Sequence, residues 1–455
     1  MRILHYALGF PPYRRGGLTK YCMDIMSCEA SFGHNVSLLW PGKIINDSSS
    51  ISFINHKTVI YDNEKIKSIE MRNPLPVPII RGVYSPLDFM KKKSIDTIYS
   101  FLLSSKYDVI HVHTLMGLPS EFVEAANNLN MPLFYTTHDY YGICPLAVLY
   151  NEALPCSGKN CFSRCCICNA SSPTFNALKF TQSPFYLHLK NNQIIRTLFY
   201  KMGNEHKEKK YSGDYEKAIQ YKNLQNFYLS MLNKFNLVLF NSNETKNTFL
   251  SSINLTSSYT VLGITNKEIP SGKIKYVPRS QKNKEINLGY LGPRNDCKGY
   301  FWLINSIDSM PKRYKEKIKL HVFFREKEYK STFIVTHKPY NYKNMSSAIS
   351  FLDIIIVPSL WKETFGFVTL EALSQDIPVI VTDNVGSKDL IESPKNGFII
   401  NSNPYSLISL LEKIIDNPSL IDNQKKYISS FTHLVDMNSH TKYLISLYYT
   451  KTKKA

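Results

Sequence analysis

Two glutamates eight residues apart, Glu363 and Glu371, stand in the segment Pro358-Ser359-Leu360-Trp361-Lys362-Glu363-Thr364-Phe365-Gly366-Phe367-Val368-Thr369-Leu370-Glu371. The apolar run Ile354–Pro358 before them reads as a strand, and Phe367–Ser374 reads as a helix. A strand, a loop with glycine and a helix N-terminus make an anion site. The first amides of a helix lack partners inside it, and the helix dipole adds positive potential there. The amides of Thr364, Phe365, Gly366 and Phe367 would face a phosphate. Glu363 precedes the helix and Glu371 lies inside it, so one carboxylate can reach a sugar and the other a ribose. The pair alone would equally describe a solvated helix start.

Three more segments carry chemistry of a compatible kind. Leu288-Gly289-Tyr290-Leu291-Gly292-Pro293-Arg294-Asn295-Asp296-Cys297-Lys298-Gly299 follows another strand. Its glycines admit close approach of the backbone to a ligand, and Lys298 is a point charge suited to a pyrophosphate. Pro11-Pro12-Tyr13-Arg14-Arg15-Gly16-Gly17-Leu18-Thr19 joins the first strand to the first helix. Gly16 and Gly17 there suit a phosphate or a sugar held near the backbone, or simply a tight turn. Arg14 and Arg15 read equally as phosphate contacts and as surface charge. Thr136-Thr137-His138-Asp139 ends a strand, where ligands bind in open α/β sheets. His111 and His113 end another strand and could face the same cleft.

These segments together resemble glycosyltransferase family 4, a retaining family of GT-B fold within the glycosyl transferases group 1. The resemblance is patchy in the first half and clear from Ile286 to Ile400. It implies that Glu363 binds hydroxyls of the donor sugar and Glu371 the ribose. Lys298 and the displaced Arg294 would hold the pyrophosphate beside Gly292, Gly16-Gly17 would form the first loop, and His138 would stand near the reacting sugar. The chain departs from the family pattern at Pro293, where an arginine is usual, at Asp376, where a glycine is usual, and at Asp389, where Gly-Gly and Glu are usual. Those departures keep open a catalytically silent relative that binds a nucleotide sugar or serves as a scaffold. The resemblance implies a nucleotide-sugar donor, expected to be a UDP or GDP sugar, a glycan or lipid-linked acceptor, and catalysis without metal or other cofactor. The basic, Tyr-rich first half fits an acceptor on an anionic lipid, as in cell-surface polysaccharide biosynthesis. No Asp-x-Asp follows a strand where a metal-dependent transferase would need it.

The elements that must position these residues alternate. Arg2–Ala7, Asn35–Trp40, Asp108–Val112, Leu133–Thr137 and Leu237–Asn241 read as strands, with helices at Thr19–Phe32 and Glu121–Asn128 between them. The alternation resumes with strands at Ile286–Tyr290, Lys319–Phe324, Ile354–Pro358, Val379–Val381 and Phe398–Ile400. Strand–helix alternation implies parallel sheets covered on both faces. The expectation is an α/β protein with two Rossmann-like domains facing across a cleft. Residues 1–270 would form the acceptor-binding domain with a cysteine-rich insert, and 271–435 the nucleotide-sugar domain. Residues 436–455 would form a helix crossing back to the first domain. Asn266–Glu285, rich in Lys with two prolines, reads as the linker, and about Asn176–Phe235 as helices.

The 455 residues carry 43% hydrophobic side chains, enough to bury a core in each domain. Lys and Arg number 55 against 36 Asp and Glu, a net +19 that favours polyanionic partners. Phosphorylated small molecules and an anionic membrane surface fit; no nucleic-acid signature accompanies the charge. No secretory signal or membrane-spanning run of about 18 apolar residues is visible. The expected location is the cytoplasm, with peripheral contact to the inner membrane face. Five of the nine cysteines fall between Cys156 and Cys168. Cys156, Cys161, Cys165 and Cys168 would suit a tetrahedral structural zinc, with Cys166 competing; free thiols and a redox role are the other readings.

Overall fold

The computed structural model describes every residue except 80, 152–153, 157, 160, 184, 187–214, 270–284, 325–330, 342–343, 431–433 and 453–455. Most of the expected linker, and the middle of the segment expected to be helical from 176 to 235, lie outside the described residues.

The first half is built on one sheet. Its strands are β1 (Arg2–Tyr6), β2 (Asn35–Pro41), β3 (Ser52–Asn55), β4 (Val59–Tyr61), β5 (Glu64–Arg72), β6 (Val109–Val112) and β7 (Leu133–Thr136), then β10 (Leu237–Phe240) and β11 (Tyr259–Val261). A two-stranded hairpin, β8 (Tyr150–Asn151) with β9 (Leu154–Pro155), lies apart from it. The order is β11-β10-β7-β6-β1-β2-β5-β3, with β4 also paired to β5. From β11 to β5 the pairing is parallel, while β3 and β4 run antiparallel to β5. The first sheet is therefore not purely parallel. Helices α1 (Gly17–Ser31), α2 (Ile95–Ser105) and α3 (Ser120–Asn128) cover it. They are followed by α4 (Phe162–Cys168), α5 (Phe175–Thr181), α6 (Tyr215–Leu232) and α7 (Asn243–Ser252).

The second half holds a six-stranded parallel sheet. Its strands are β12 (Ile286–Tyr290), β13 (Ile318–Phe323), β14 (Ile334–His337), β15 (Ile354–Val357), β16 (Val379–Thr382) and β17 (Gly397–Ile400). Their order, β14-β13-β12-β15-β16-β17, reverses direction of growth between β12 and β15. That is the switch point where the carboxyl ends of an open sheet leave a crevice. Helices α8 (Tyr300–Asp308), α9 (Lys312–Lys315), α10 (Met345–Ile349), α11 (Phe367–Leu373), α12 (Pro404–Asp416) and α13 (Ser419–Ser430) complete it.

The last helix, α14 (Met437–Thr452), belongs to the other half. Asp436 starts it, its carboxylate accepting from the amides of Asn438 (2.8 Å) and Ser439 (3.0 Å). Met437, Leu444, Ile445 and Tyr448 are buried in one cluster with Ile3, Tyr21, Met26 and Leu239. Among the described residues no helix is long and apolar enough to cross a membrane.

Candidate functional site

The site begins where the loops after β12 and β15 touch. Gly299 opens α8 at φ 74°, and a Cβ there would lie 1.8 Å from the Pro358 carbonyl oxygen. Only glycine allows this approach. The Cys297 carbonyl accepts from the amides of Leu360 (2.9 Å) and Trp361 (3.3 Å), closing the seam. The seam places Lys298 Nζ 2.5 Å from Glu363 Oε1, and Ser359 Oγ donates to Glu363 Oε2 at 2.6 Å. The ammonium also lies 5.0 Å from the centre of the Trp361 ring. Glu363 is thus a mostly buried carboxylate with both oxygens engaged.

Gly366, at φ 94°, turns the chain into α11. Phe365, 3% exposed, packs its ring in the first half's core. Its side chain anchors the loop, leaving its backbone as the part that could meet a donor. The Phe367 ring opposes the first loop: a Cβ on Gly17 would lie 3.1 Å from it. Gly16 precedes α1 at φ 117° with no atom within 4 Å of a Cβ there. Glu371 is buried one turn into α11. Arg294 lies 5.6 Å from the Phe301 ring centre, over the start of α8. Gly292 sits against the Tyr290 hydroxyl, 2.5 Å from where a Cβ would be, so this glycine keeps the loop tight.

The two halves meet at the same place. Thr364 Oγ1 donates to the His138 carbonyl at 3.0 Å, and the Thr364 carbonyl accepts from Ser242 Oγ (2.5 Å) and Thr245 Oγ1 (2.9 Å). Asp389 accepts from the Asn243 amide at the start of α7, 2.6 Å away. Glu244 pairs with Lys362 (2.9 Å) and Lys388 (2.7 Å). Burial alone would raise the Glu244 carboxyl, but hydrogen bonds from these lysines outweigh it and hold the carboxyl below its ordinary range.

His138 follows β7 and keeps some exposure. Burial, with His440 nearby, pushes its imidazole down to about 3, so it is neutral. Asp139 accepts from the Tyr141 amide (2.8 Å), yet burial lifts its carboxyl to about 6. His111 and His113 do not face the cleft: both are fully buried behind His138, because β6 is an interior strand covered by α1 and α14. His111 contacts Tyr448 (Nδ1 to hydroxyl, 2.6 Å) and Thr136 (Nε2 to Oγ1, 2.8 Å).

The cysteines gather beside the segment that follows His138. Cys156 and Cys161 sulfurs lie 3.3 Å apart, and Cys161, Cys165 and Cys168 recur along one face of α4. With Cys144 they line a small cavity of about 20 Å3. No disulfide joins any of them. Among the described residues, the groups whose ligand atoms lie mutually within 4.8 Å are instead His5, His111 and His113, and Cys22, His113 and His138.

Lys298, Glu363, Gly366, Phe367 and Gly17 thus converge, with His138 across the seam. Sequence reasoning passed over Ser359, whose partner Glu363 is only four residues on, and Ser242, Thr245 and Glu244, single polar residues with partners distant in sequence. His5 and Glu29 were likewise unmarked, lying inside apolar runs.

Residues 274–431 match the family model described as glycosyl transferases group 1. CapM, a capsular polysaccharide biosynthesis glycosyltransferase of Staphylococcus aureus, is 33% identical over 82 residues, 17% of this chain and 21% of CapM. Spore coat protein SA of Bacillus subtilis is 28% identical over 98 residues, 21% of this chain and 25% of that protein. The chain therefore spans about a fifth to a quarter of the length of these curated relatives. Sucrose-phosphate synthase of Thermosynechococcus elongatus superimposes with a TM-score of 0.56 at 12% identity, covering 100% of both chains. HepE of Anabaena, solved with UDP, does so with a TM-score of 0.56 at 12% identity, covering 99% of this chain and 100% of that one. The fold is GT-B, and the matched segment is of the group 1 glycosyltransferase type.

Proposed function

We propose that this protein is a retaining glycosyltransferase that moves a sugar from a UDP or GDP donor to a glycan or lipid-linked acceptor, in cell-surface polysaccharide assembly. One observation carries the reading. A lysine and a carboxylate, Lys298 and Glu363, are held together at the carboxyl ends of β12 and β15, beside a glycine-opened helix and opposite His138. Crystal structures of similar fold hold UDP-glucose (HepE) or ADP (starch synthase IV of Arabidopsis thaliana), and CapM is named for capsular polysaccharide; these support the substrate class.

In this reading Glu371 holds the ribose, and Lys298 with the amides of Thr364 to Phe367 holds the diphosphate. Arg294 lies at the edge of that diphosphate site. Glu363 holds hydroxyls of the transferred sugar. The main catalytic task is stabilising the diphosphate as it leaves, because charge develops there. The resemblance implies retention; among the described residues no side-chain nucleophile emerges in the cleft, and attack by the acceptor on the face the diphosphate leaves is the route that retains configuration without one. Glu363 already has a cationic partner, and no metal is assigned to catalysis. Cys156, Cys161, Cys165 and Cys168 would hold a structural zinc if their sulfurs drew closer together than they lie here, and it would stiffen the wall behind the His138 loop. The surplus of +19 suits a peripheral place on the anionic inner face of the membrane.

The test is binding and slow hydrolysis of UDP-, GDP- and ADP-sugars by the purified protein, with Glu371→Ala as control. Saturable binding or diphosphate release that the control loses supports the transferase and names the nucleotide. Binding without hydrolysis or transfer to any acceptor favours the silent relative. No binding at all overturns the proposal.

A further inference from the structure

Behind His138 runs a line of buried polar groups that the proposed transfer does not by itself require. His113 Nδ1 lies 3.4 Å from His138 Nε2. His113 Nε2 lies 2.9 Å from His5 Nδ1, and His5 Nε2 lies 2.6 Å from Glu29 Oε2. His5, His113 and Glu29 are 0% exposed, whereas His138 is partly exposed and its carbonyl accepts from Thr364 of the second half. The residues come from β1 and α1 and from just beyond β6 and β7, so the tertiary fold alone aligns them.

We propose that Glu29, His5 and His113 form a proton wire whose cleft end is His138. A neutral imidazole carries one N–H, so the terminal carboxylate sets the polarity of the whole line. With Glu29 ionised, His5 donates from Nε2 to Glu29, His113 donates from Nε2 to His5, and His138 donates from Nε2 to His113. His138 Nδ1 is then left with a free lone pair. It is the only nitrogen of these three rings outside the line. As the acceptor oxygen bonds to the anomeric carbon and the bond to the diphosphate breaks, the acceptor proton passes to His138 Nδ1. Each ring hands on the proton from its far nitrogen, and Glu29 ends as the carboxylic acid. After product release the reverse hops return that proton to water through His138.

Burial explains why a wire serves better than one base. Holding a positive charge on His138 is disfavoured, its imidazole being pushed down to about 3. The wire takes up a proton without leaving an imidazolium in the line, since every ring ends neutral. The 3.4 Å link is the longest of the line, and catalytic hydrogen bonds of this kind tighten in complexes with substrate. The other titratable groups facing the line are Tyr21 and Cys22 from α1, His111 from β6, Asp139 beyond β7, and His440 and Tyr448 from α14. Burial keeps the two tyrosines and Cys22 protonated and His111 and His440 neutral, so these do not charge the wire.

The inference rests on the transferase reading, and its test separates the two. Histidine-labelled protein at pH 7 is examined by 15N NMR. His5, His113 and His138 are expected as neutral Nε2–H tautomers; an imidazolium or an Nδ1–H form at any of them overturns the wire, whatever the enzyme transfers. In kinetics, Glu29→Gln keeps an acceptor for His5 but cannot take a proton. It is expected to lower the transfer kcat at least about 10-fold, with UDP affinity within about 3-fold of the parent. The loss should shrink for acceptors with more acidic hydroxyls, and a curved solvent-isotope proton inventory should become linear. A merely structural role for Glu29 would alter none of these acceptor and isotope dependences. Wild-type turnover that Glu29→Gln leaves unchanged overturns the wire alone; absence of wild-type turnover with every donor overturns the transferase reading. One equivalent of metal lost in His5→Gln also overturns the wire, because His5, His111 and His113 lie close enough to ligate an ion and a ligated nitrogen passes no proton.

Discussion

Lys298 and Glu363, 65 residues apart in sequence, face each other with Nζ 2.5 Å from Oε1. The two side chains assigned to diphosphate and sugar hold one another. A donor must therefore share the lysine rather than find it idle. Glu363→Gln is expected to lower kcat by about 100-fold or more while nucleotide affinity changes by less than about 3-fold, because the lysine becomes freer for phosphate. Lys298→Ala is expected to weaken nucleotide affinity and kcat together. Calorimetry with the free nucleotide, beside steady-state kinetics, checks both; equal loss of nucleotide binding in the two variants would sink the division of roles.

Gly299 tests the seam itself. Its φ of 74° and the 1.8 Å approach of a Cβ to the Pro358 carbonyl leave a side chain no place. Gly299→Ala is expected to cost at least about 2 kcal/mol, from strain plus steric overlap. Urea unfolding measures it; a midpoint unchanged from the parent would refute the seam.

Gly17 tests the cleft instead. A Cβ there would meet the Phe367 ring at 3.1 Å. Gly17→Leu is expected to leave the melting temperature within about 3 °C, since leucine favours a helix. Transfer kcat/KM should fall at least about 10-fold as the loop before α11 is displaced. Full activity in this variant would place the donor elsewhere.

Acid should destabilise the protein through its buried histidines. Burial lowers His111 and His113 well below the ordinary value, His138 to about 3 and His440 to about 4. Between those values and about 6.5 the unfolded chain binds more protons than the folded one. Stability is therefore full above about pH 6.5 and falls as pH drops toward 4, by up to about 1.4 kcal/mol per pH unit per histidine. Asp139, raised to about 6, acts in the opposite sense and offsets part of one histidine between pH 6 and about 4. Urea midpoints at pH 7 and pH 5 read the slope, and His440→Phe should flatten it. A midpoint that rises on acidification contradicts the burial of these rings.

Zinc analysis tests the cysteine cluster. About one equivalent is expected, lost in Cys161→Ser and Cys165→Ser with a lower melting temperature and no change in the nucleotide selected. Four titratable thiols and no metal would make the cavity a plain packing defect.

The second sheet was legible because its strands are short, apolar and separated by helices: Ile286–Tyr290 agrees to the residue, and the helix opening at Phe367 to within one. The stretch between Trp40 and Asp108 was not. There β5 alternates charges with apolar residues, and Glu70 is buried although charged, its oxygens taken by His56, Arg72 and the Lys43 amide. That pattern reads as surface until β2 and β3 flank it. Of the site, the loops carrying Lys298, Glu363 and Gly366 were visible from local spacing. Asp389 appeared as a departure from the family pattern; in the structure it receives the Asn243 amide of the other half, a partner 146 residues away. Residues that act through such distant partners leave no local mark.

The return of α14 to the first half bears on how this molecule can be divided. The chain leaves that half after Ile269 and re-enters it at Met437, so a cut at the middle strips the first core of Leu444 and Tyr448. The segment matched to the family ends at residue 431, just short of that helix. A grafted or exchanged second half would have to bring a closing helix fitted to its new neighbour. The two halves are thus exchangeable only together with the sixteen residues of α14, which share one core cluster with Phe365 of the loop before α11.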